Sequence, residues 1–532
     1  MQDNVIIGVN ILEILTTGMY RDSRVIFREY IQNSCDQIDI AVRNGLLTEN
    51  EGQVELWIND INRSVCIEDN ATGISASVFR KTLYSIGESS KTLGEDKGFR
   101  GIGHWCGLGY CKTLVFTSKA EGENVDSVMT CNAEKMRQMM DEHNSHKAHY
   151  TVDEVLAETV KFTQNKTKAI DKHYFKVELF EIRDVHTELC SLQQVKDYLS
   201  FVAPVGYSTV FRFRSTIHKH AEVVGQPIQE YNVSVNGEHI LKKYTPSFTT
   251  SKGEDSITDV DFKDFRDDDG NLIAWLWFGI SRFQGVLKKH NQMRGIRLRT
   301  QNIQIGSDDS LQKLFKEDRG QNYFIGEVFA IAKDLIPNSQ RDYFNENKAR
   351  LEFERLLSSF FNEDLSRIYK AGSNINSKYD KIEKAKQIKA EISTLLASGG
   401  DASNEQKAKL KRAERDAHNA TQELAKIREK TEAKLDANEF GTVEVVVSEI
   451  IKANDEKRAK QPKQVTLPKT TYTPPKALPK AVSTSIVAEP PATSRKKEEK
   501  LVSMSEICKI IKRIADAPTA QAIITRIEEE LL

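Results

Sequence analysis

Three short stretches near the start of the chain carry side chains whose types and spacing could do chemistry. In VIFREYIQNSCDQIDIAV (25–42), Glu29, Asn33 and Asp36 fall at i, i+4 and i+7, so a helix would align them on one stripe. A carboxylate, an amide and a second carboxylate in that array can order a water and offer oxygen to a hard cation. Magnesium usually keeps several of its waters, so Asn33 can suffice as a protein ligand. Taken alone, the same letters also describe a solvated polar face. SVCIEDNATGIS (64–75) reads as a strand that ends at Asp69, followed by a turn that Gly73 allows to bend tightly. A buried aspartate there can accept a hydrogen bond from an adenine amino group, with discrimination only if it is desolvated; an ordinary Asp-Asn turn would look alike. KGFRGIGHWCGLGYC (97–111) places Gly98, Gly101 and Gly103 as G-x-x-G-x-G, with Arg100, Ile102 and His104 between and after them. Closely spaced glycines let backbone N–H groups approach phosphate oxygens, and a helix start behind them adds favourable polarity.

The elements that must position these groups can be read from the same text. Phe27, Ile31, Ser34, Ile38 and Ala41 recur at helical spacing and give the first segment a core-facing side. The glycine stretch follows no first strand and lacks the G-K-[ST] ending, so neither a dinucleotide fingerprint nor a P-loop is present. SVFRKTLYSIGESSKTLGED (77–96) is polar and rich in small residues, as a lid over a ligand would be.

Texture divides the chain into five zones. Residues 1–215 and 216–375 interleave strand-like and helical patterns, which points to an α/β (α+β) layered architecture in both. The second zone contains LIAWLWFGI (272–280) and the basic run KKHNQMRGIRLRT (288–300), where Arg297 and Arg299 would share one strand face, solvated or turned to phosphates or acidic clients. Residues 376–460 are rich in Lys, Glu, Ala and Gln, broken at Ser398–Asp401, and read as a helical hairpin or coiled coil. Residues 461–500 hold seven of the twelve prolines and form a linker; residues 501–532 recover helical spacing as a small module suited to a protein partner.

The chain of 532 residues is 39% hydrophobic and 29% charged with a formal net charge of -1, so no global field selects nucleic acid or an acidic substrate. Its seven cysteines show no C-x-x-C or zinc spacing, and neither a leader nor a long apolar run is evident, which points to reduced thiols, a cytoplasmic location and no membrane span.

Helix with E-x-x-x-N-x-x-D, strand with D-x-x-x-G, lid-like stretch, then G-x-x-G-x-G: this order resembles the GHKL superfamily, which includes gyrase, MutL, MORC proteins, histidine kinases and the ninety-kilodalton chaperones. FREYIQNSCDQIDIAV looks most like the chaperone helix. The resemblance implies a two-layer Bergerat-type sandwich that binds ATP and magnesium. Glu29 would be the general base, Asn33 the magnesium ligand, Asp36 part of the nucleotide-side network, Asp69 with Gly73 the adenine reader. Gly98, Arg100, Gly101, Ile102, Gly103 and His104 would form the phosphate loop. DLIPNSQRDYFNENKARLEFERLL (334–357) resembles the chaperone middle-domain segment, and Arg341 matches its catalytic arginine. A homodimer that remodels a protein client is implied, or, on the MORC and MutL side, a clamp on duplex DNA. Two departures stand out. Ala71 replaces the first glycine of the acidic turn, and Tyr174-Phe175 stand where the family has Gly-Thr, while Ser208-Thr209 come too late in the chain to serve.

Overall fold

The computed structural model describes residues 8–14, 22–87, 101–436 and 442–459. Gly98, Arg100, most of the second half of the lid-like stretch, the Pro-rich linker and the 501–532 module lie outside these residues.

After a single turn, α1 (Asn10–Glu13), the helix α2 (Val25–Arg43) forms as its periodicity predicts, with Phe27, Ile31, Ile38 and Ala41 fully or nearly fully buried. It packs on β1 (Gln53–Asn59) and β2 (Ser64–Asp69). Inward and outward residues alternate along β2, so Val65, Ile67 and Asp69 share the buried face. This period of two is what carries an aspartate into the core. There follow α3 (Phe79–Tyr84), β3 (Thr113–Lys119), β4 (Val125–Asn132), α4 (Ala133–Asn144), α5 (Val152–Thr159), β5 (Val160–Lys166), β6 (Tyr174–Phe180) and α6 (Leu192–Val202). A Thr151–Glu154 capping box starts α5.

The chain then leaves this layer. Tyr207, Phe211, Phe213 and α7 (Arg214–Val223) pack into a separate aromatic core, and only then do β7 (Asn232–Val235) and β8 (Glu238–His239) return to the first sheet. Its order is β5-β4-β3-β6-β2-β1-β7-β8, antiparallel except for the β1/β7 pair. The first sheet therefore extends past residue 215, where sequence texture places a boundary. The returning strands are too short to leave a mark in composition.

A hairpin of β9 (Ser247–Thr250) and β10 (Gly253–Ser256) precedes the second sheet. That sheet contains β11 (Asp259–Arg266), β12 (Leu272–Ile280), β13 (Gly295–Thr300), β14 (Ile303–Gln304) and β15 (Ile325–Ala330), in the order β11-β12-β15-β13-β14. β12 is covered on both faces, which explains its unbroken apolar text; Trp275 stacks on Phe329 with centroids 4.3 Å apart. Lys288 and Lys289 of the basic run are exposed, but Arg297 and Arg299 do not form the open strand face that their alternation suggests. Arg299 is fully buried against Glu327, which also receives Lys242 (3.1 Å), Tyr244 (3.1 Å) and Tyr207. Burial works against that carboxylate, but Arg299 and Lys242 hold it well below the usual range. Arg297 is buried too. The network clamps the 205–244 excursion to the second sheet.

α8 (Lys348–Phe360) runs through one π-turn, Phe361–Leu365, into α9 (Ser366–Ala397), and α10 (Asn404–Asp436) folds back along it, joined by the Lys378–Glu423 and Lys389–Glu414 (3.4 Å) pairs. A third helix, α11 (Thr442–Ala459), packs on both, its Val446 and Ile450 fully buried in the second-sheet core. The 376–460 span is thus a hairpin plus a third helix, whose β-branched start (Val443, Val445, Val446, Val447) disguises it. Among the described residues no helix is long and apolar enough to cross a membrane, and none of the six described cysteines forms a disulfide.

Candidate active site

Because the apolar side of α2 is spent on the sheet, its polar stripe faces the glycine loop and the second-sheet region. Glu29 is 3% exposed, Asp36 is buried and Asn33 half-buried. A Cβ placed on Gly103 would lie 3.1 Å from Glu29 Oε2, so the loop backbone approaches the carboxylate closely enough that a side chain there would have to push it aside. Tyr30 holds that approach: its hydroxyl donates to His104 O (3.0 Å) and accepts from Gly107 N–H (3.1 Å). Gly101 and Ile102 precede a seven-residue 3-10 segment, Gly103–Gly109, where the sequence reading expects a helix start. The His104 ring is turned to α3, with Nε2 3.1 Å from Leu83 O; burial lowers its pKa to about 4, so it is a neutral brace. Its side chain therefore supports the loop, and only its backbone is placed to meet a phosphate.

On the other side of α2, Asp69 accepts from Ser34 Oγ (2.7 Å) and Ala71 N–H (3.1 Å). Burial pushes its carboxyl up to about 7, against the pull of those two bonds. An unfolded aspartate titrates near ~3.9. Between roughly 4 and about 7 the folded chain therefore keeps a proton that the unfolded chain has released, so stability from this group is greatest below the window and is lost as pH rises through it. Asp69→Asn, which cannot ionise, is expected to remove that slope. Urea midpoints of the two proteins at about pH 4.5 and pH 8 test it; a constant gap between them would mean Asp69 is ionised throughout.

Gly73 follows at φ +62°, where an added Cβ would stand 2.0 Å from Lys119 O and 3.0 Å from Tyr174 O. Lys119 is itself fixed by Nζ bonds to Ile170 O (3.0 Å) and Lys172 O (2.7 Å), so the wall cannot yield. Gly73→Ala is expected to lower unfolding free energy by roughly 2–4 kcal/mol, measurable by chemical denaturation. The neighbouring strand pairs Phe175 with Asp69, which puts Tyr174-Phe175 where the resemblance leaves Gly-Thr missing. Ser208 instead bonds Lys242 O in the excursion. Hydroxyls around this turn come from Ser34 and from Ser118, the latter bridging Ile74 N–H (2.7 Å) and Tyr174 O (3.1 Å). Sequence reasoning gives Ser34 only a core-facing place and does not single out Ser118.

A carboxylate, a glycine loop against it and a desolvated aspartate deeper in are now in one place. Residues 23–167 match the family described as histidine kinase-, DNA gyrase B-, and HSP90-like ATPase. This stretch is similar to GHKL-type ATPase domains. No curated protein matches the chain.

This GHKL-like stretch receives one group from far outside the matched residues. Arg341, buried and at φ +53°, places Nε 3.2 Å from Glu29 Oε1 and bonds Gln32 Oε1 through Nη1. Arg28 completes the joint, with Nη1 3.4 Å from Arg341 O and Nη2 3.4 Å from both Gln340 O and Glu29 Oε1. Arg28 and Gln32 are also i, i+4 neighbours on α2, a spacing visible in the sequence but without meaning until Arg341 meets it. Asp36 lies with Asp39 along a cavity of about 940 Å³ beside Gln229 and Tyr231, whose hydroxyl donates to Asp39 (2.7 Å). It thus faces the returning 229–232 segment.

The residues fit a magnesium nucleotide. The glycine approach at Gly103 forms a cradle that a side chain would fill, and Asp69 offers a buried acceptor for adenine. Among the described residues no group of three or more His, Cys, Asp and Glu side chains could hold a metal by itself. Magnesium would therefore be bound mainly by phosphate and water, with Asn33 as the protein ligand.

Proposed function

We propose that this chain is an ATP-hydrolysing machine, chaperone-like, in which docking of the second-sheet region on the ATPase domain couples turnover to the remodelling of a protein client. The observation that carries this reading is the 3.2 Å pair between Arg341 and Glu29, which joins a loop of one layer to the polar helix of the other. Bound ATP and magnesium would supply the scissile γ-phosphoryl group and its charge neutralisation. Glu29 orients and deprotonates the attacking water, Asn33 fixes the metal, Asp69 holds the adenine, and the backbone from Gly98 to His104 cradles the phosphates. A γ-phosphate seated against Gly103 competes with Glu29 for Arg341, and transfer of the guanidinium to phosphate would free the carboxylate as base. The site is complete only when both layers meet, so closure sets the rate. In this reading the 77–96 stretch closes as a lid, two copies associate through their ATPase domains, and the protein works in the cytoplasm.

A second reading, an ATP-gated clamp on duplex DNA, is favoured by one observation. Lys407, Lys409, Lys411, Arg412 and Arg415 are all exposed on the opening turns of α10. The buried Arg297 and Arg299 lend it nothing.

One assay set separates the two. ATPase activity is measured with and without duplex DNA at several salt concentrations, beside suppression of aggregation of an unfolded protein. Client protection without a DNA response supports the chaperone-like reading. Stimulation by DNA that falls steeply with salt replaces it with the clamp. Absence of turnover in both would overturn the two together.

A further inference from the structure

Gln32 lies one turn beyond Glu29 on α2 and is 1% exposed. Its Oε1 accepts from Arg341 Nη1, while its Nε2, also buried, has no hydrogen-bond partner. A buried amide with an unused donor is a poor way to fill a core, since a methionine of similar shape would leave no donor unpaired. What the amide adds over an apolar side chain is the oxygen that it gives to Arg341.

The holds on Arg341 differ in kind. Arg28 grips the main chain of the loop, with Nη1 3.4 Å from Arg341 O and Nη2 3.4 Å from Gln340 O. That grip can persist while the guanidinium moves. Glu29 takes Nε at 3.2 Å and supplies charge. Gln32 takes Nη1 and supplies none. Both side-chain holds must be released before the guanidinium can turn to another anion. A bond to a neutral acceptor is roughly half as strong as one to a carboxylate. Breaking it also strands a buried carbonyl oxygen, which adds to the hold. Gln32 therefore keeps Arg341 in place more firmly than Glu29 alone would. It does so without a second negative charge, which would bind the guanidinium too tightly to give up.

We propose that Gln32 is a positioning residue that parks Arg341 beside Glu29 until a γ-phosphate draws the guanidinium away, and that it thereby sets how strongly the site distinguishes a nucleoside triphosphate from a diphosphate. The inference rests on the ATPase reading. A ligand that needs the released guanidinium binds more weakly by the cost of releasing it, and a ligand that leaves it parked does not.

The test uses the full chain with magnesium. ADP, which lacks the γ-phosphate, and a β,γ-imido analogue of ATP, which cannot be hydrolysed, are titrated into wild type, Gln32→Met and Gln32→Glu at about pH 8, where a carboxylate is ionised. Gln32→Met loosens the hold and is expected to raise the ratio of analogue affinity to ADP affinity roughly three-fold or more; Gln32→Glu tightens it and is expected to lower that ratio roughly ten-fold or more. Affinity for ADP checks the fold and should be kept in both. A merely structural amide would move the two nucleotides together and leave the ratio alone. Ratios within about two-fold of wild type in both variants, or a lower ratio in Gln32→Met, overturn the proposal. If Gln32→Glu fails to bind ADP, the direction of the change in Gln32→Met decides. No turnover is measured, so a chain that binds the analogue without hydrolysing ATP still tests the hold. Equal ratios remove the hold alone, whereas a wild type that binds neither nucleotide removes the ATPase reading and the hold together.

Discussion

Glu29→Ala is expected to lower ATP turnover by roughly 10²–10⁴-fold, the usual worth of a positioned general base, with ATP affinity changed only a few-fold. The reason lies in how its two oxygens are divided. Oε1 is held by Arg341 at 3.2 Å and Arg28 at 3.4 Å, while Oε2 is the atom nearest Gly103. A carboxylate tethered on one oxygen presents the other at a fixed angle to whatever occupies the glycine loop. Alanine suits the helix but strands two buried guanidiniums, which costs on the order of 3–5 kcal/mol if nothing rearranges. Loss of activity alone would therefore be ambiguous. Glu29→Gln resolves it, because the amide oxygen still accepts from Arg341 and Arg28 but cannot take a proton. Turnover measured under saturating ATP should fall equally in both variants. A glutamine variant with wild-type kcat would remove Glu29 from the role of base.

How much of this arrangement the sequence reveals depends on the range of the interactions involved. The stripe of Glu29, Asn33 and Asp36 is legible because helical periodicity is local: once Phe27, Ile31 and Ile38 choose the core, the polar side is fixed. Asp69 is legible for the same reason, since Val65 and Ile67 set the parity of its strand. Groups whose meaning comes from distant chain segments are not. Gln32 reads as a plain polar residue until a loop more than three hundred positions later brings Arg341 onto it. Arg297 and Arg299 alternate as an exposed strand would, and only Glu327 on the paired strand reverses that reading. The short strand β7 carries almost no pattern, yet its pairing with β1 decides that the chain crosses to the second layer and comes back. His104 is a case of right place and different duty. The loop is where the glycines say it is, but the ring is consumed in bracing α3.

The same logic makes Arg341 the sharper experiment. Arg341→Ala is expected to reduce turnover by about 10³-fold or more, the scale on which a guanidinium delivered to a transferring phosphoryl group operates. Arg341→Lys should not rescue it. The fork serves Glu29 through Nε and Gln32 through Nη1 together, and an ammonium cannot span both. One feature of the loop allows chemistry and architecture to be told apart. Arg341 sits at φ +53°, held there by its N–H bond to Asn338 O (3.1 Å) and by Gly306 N–H on its carbonyl (2.9 Å). A side chain in that region costs about 1–2 kcal/mol, which glycine does not incur. Arg341→Gly should therefore keep the turn, and with it the Arg28 contact to the loop carbonyls, better than alanine does. If Arg341 works on phosphate, the glycine variant is as inactive as the alanine variant despite its relaxed backbone, and its ATP affinity is retained. If Arg341 serves only through its backbone, as the turn whose carbonyl receives Arg28, the glycine variant recovers much of the wild-type kcat, and the catalytic assignment falls with it.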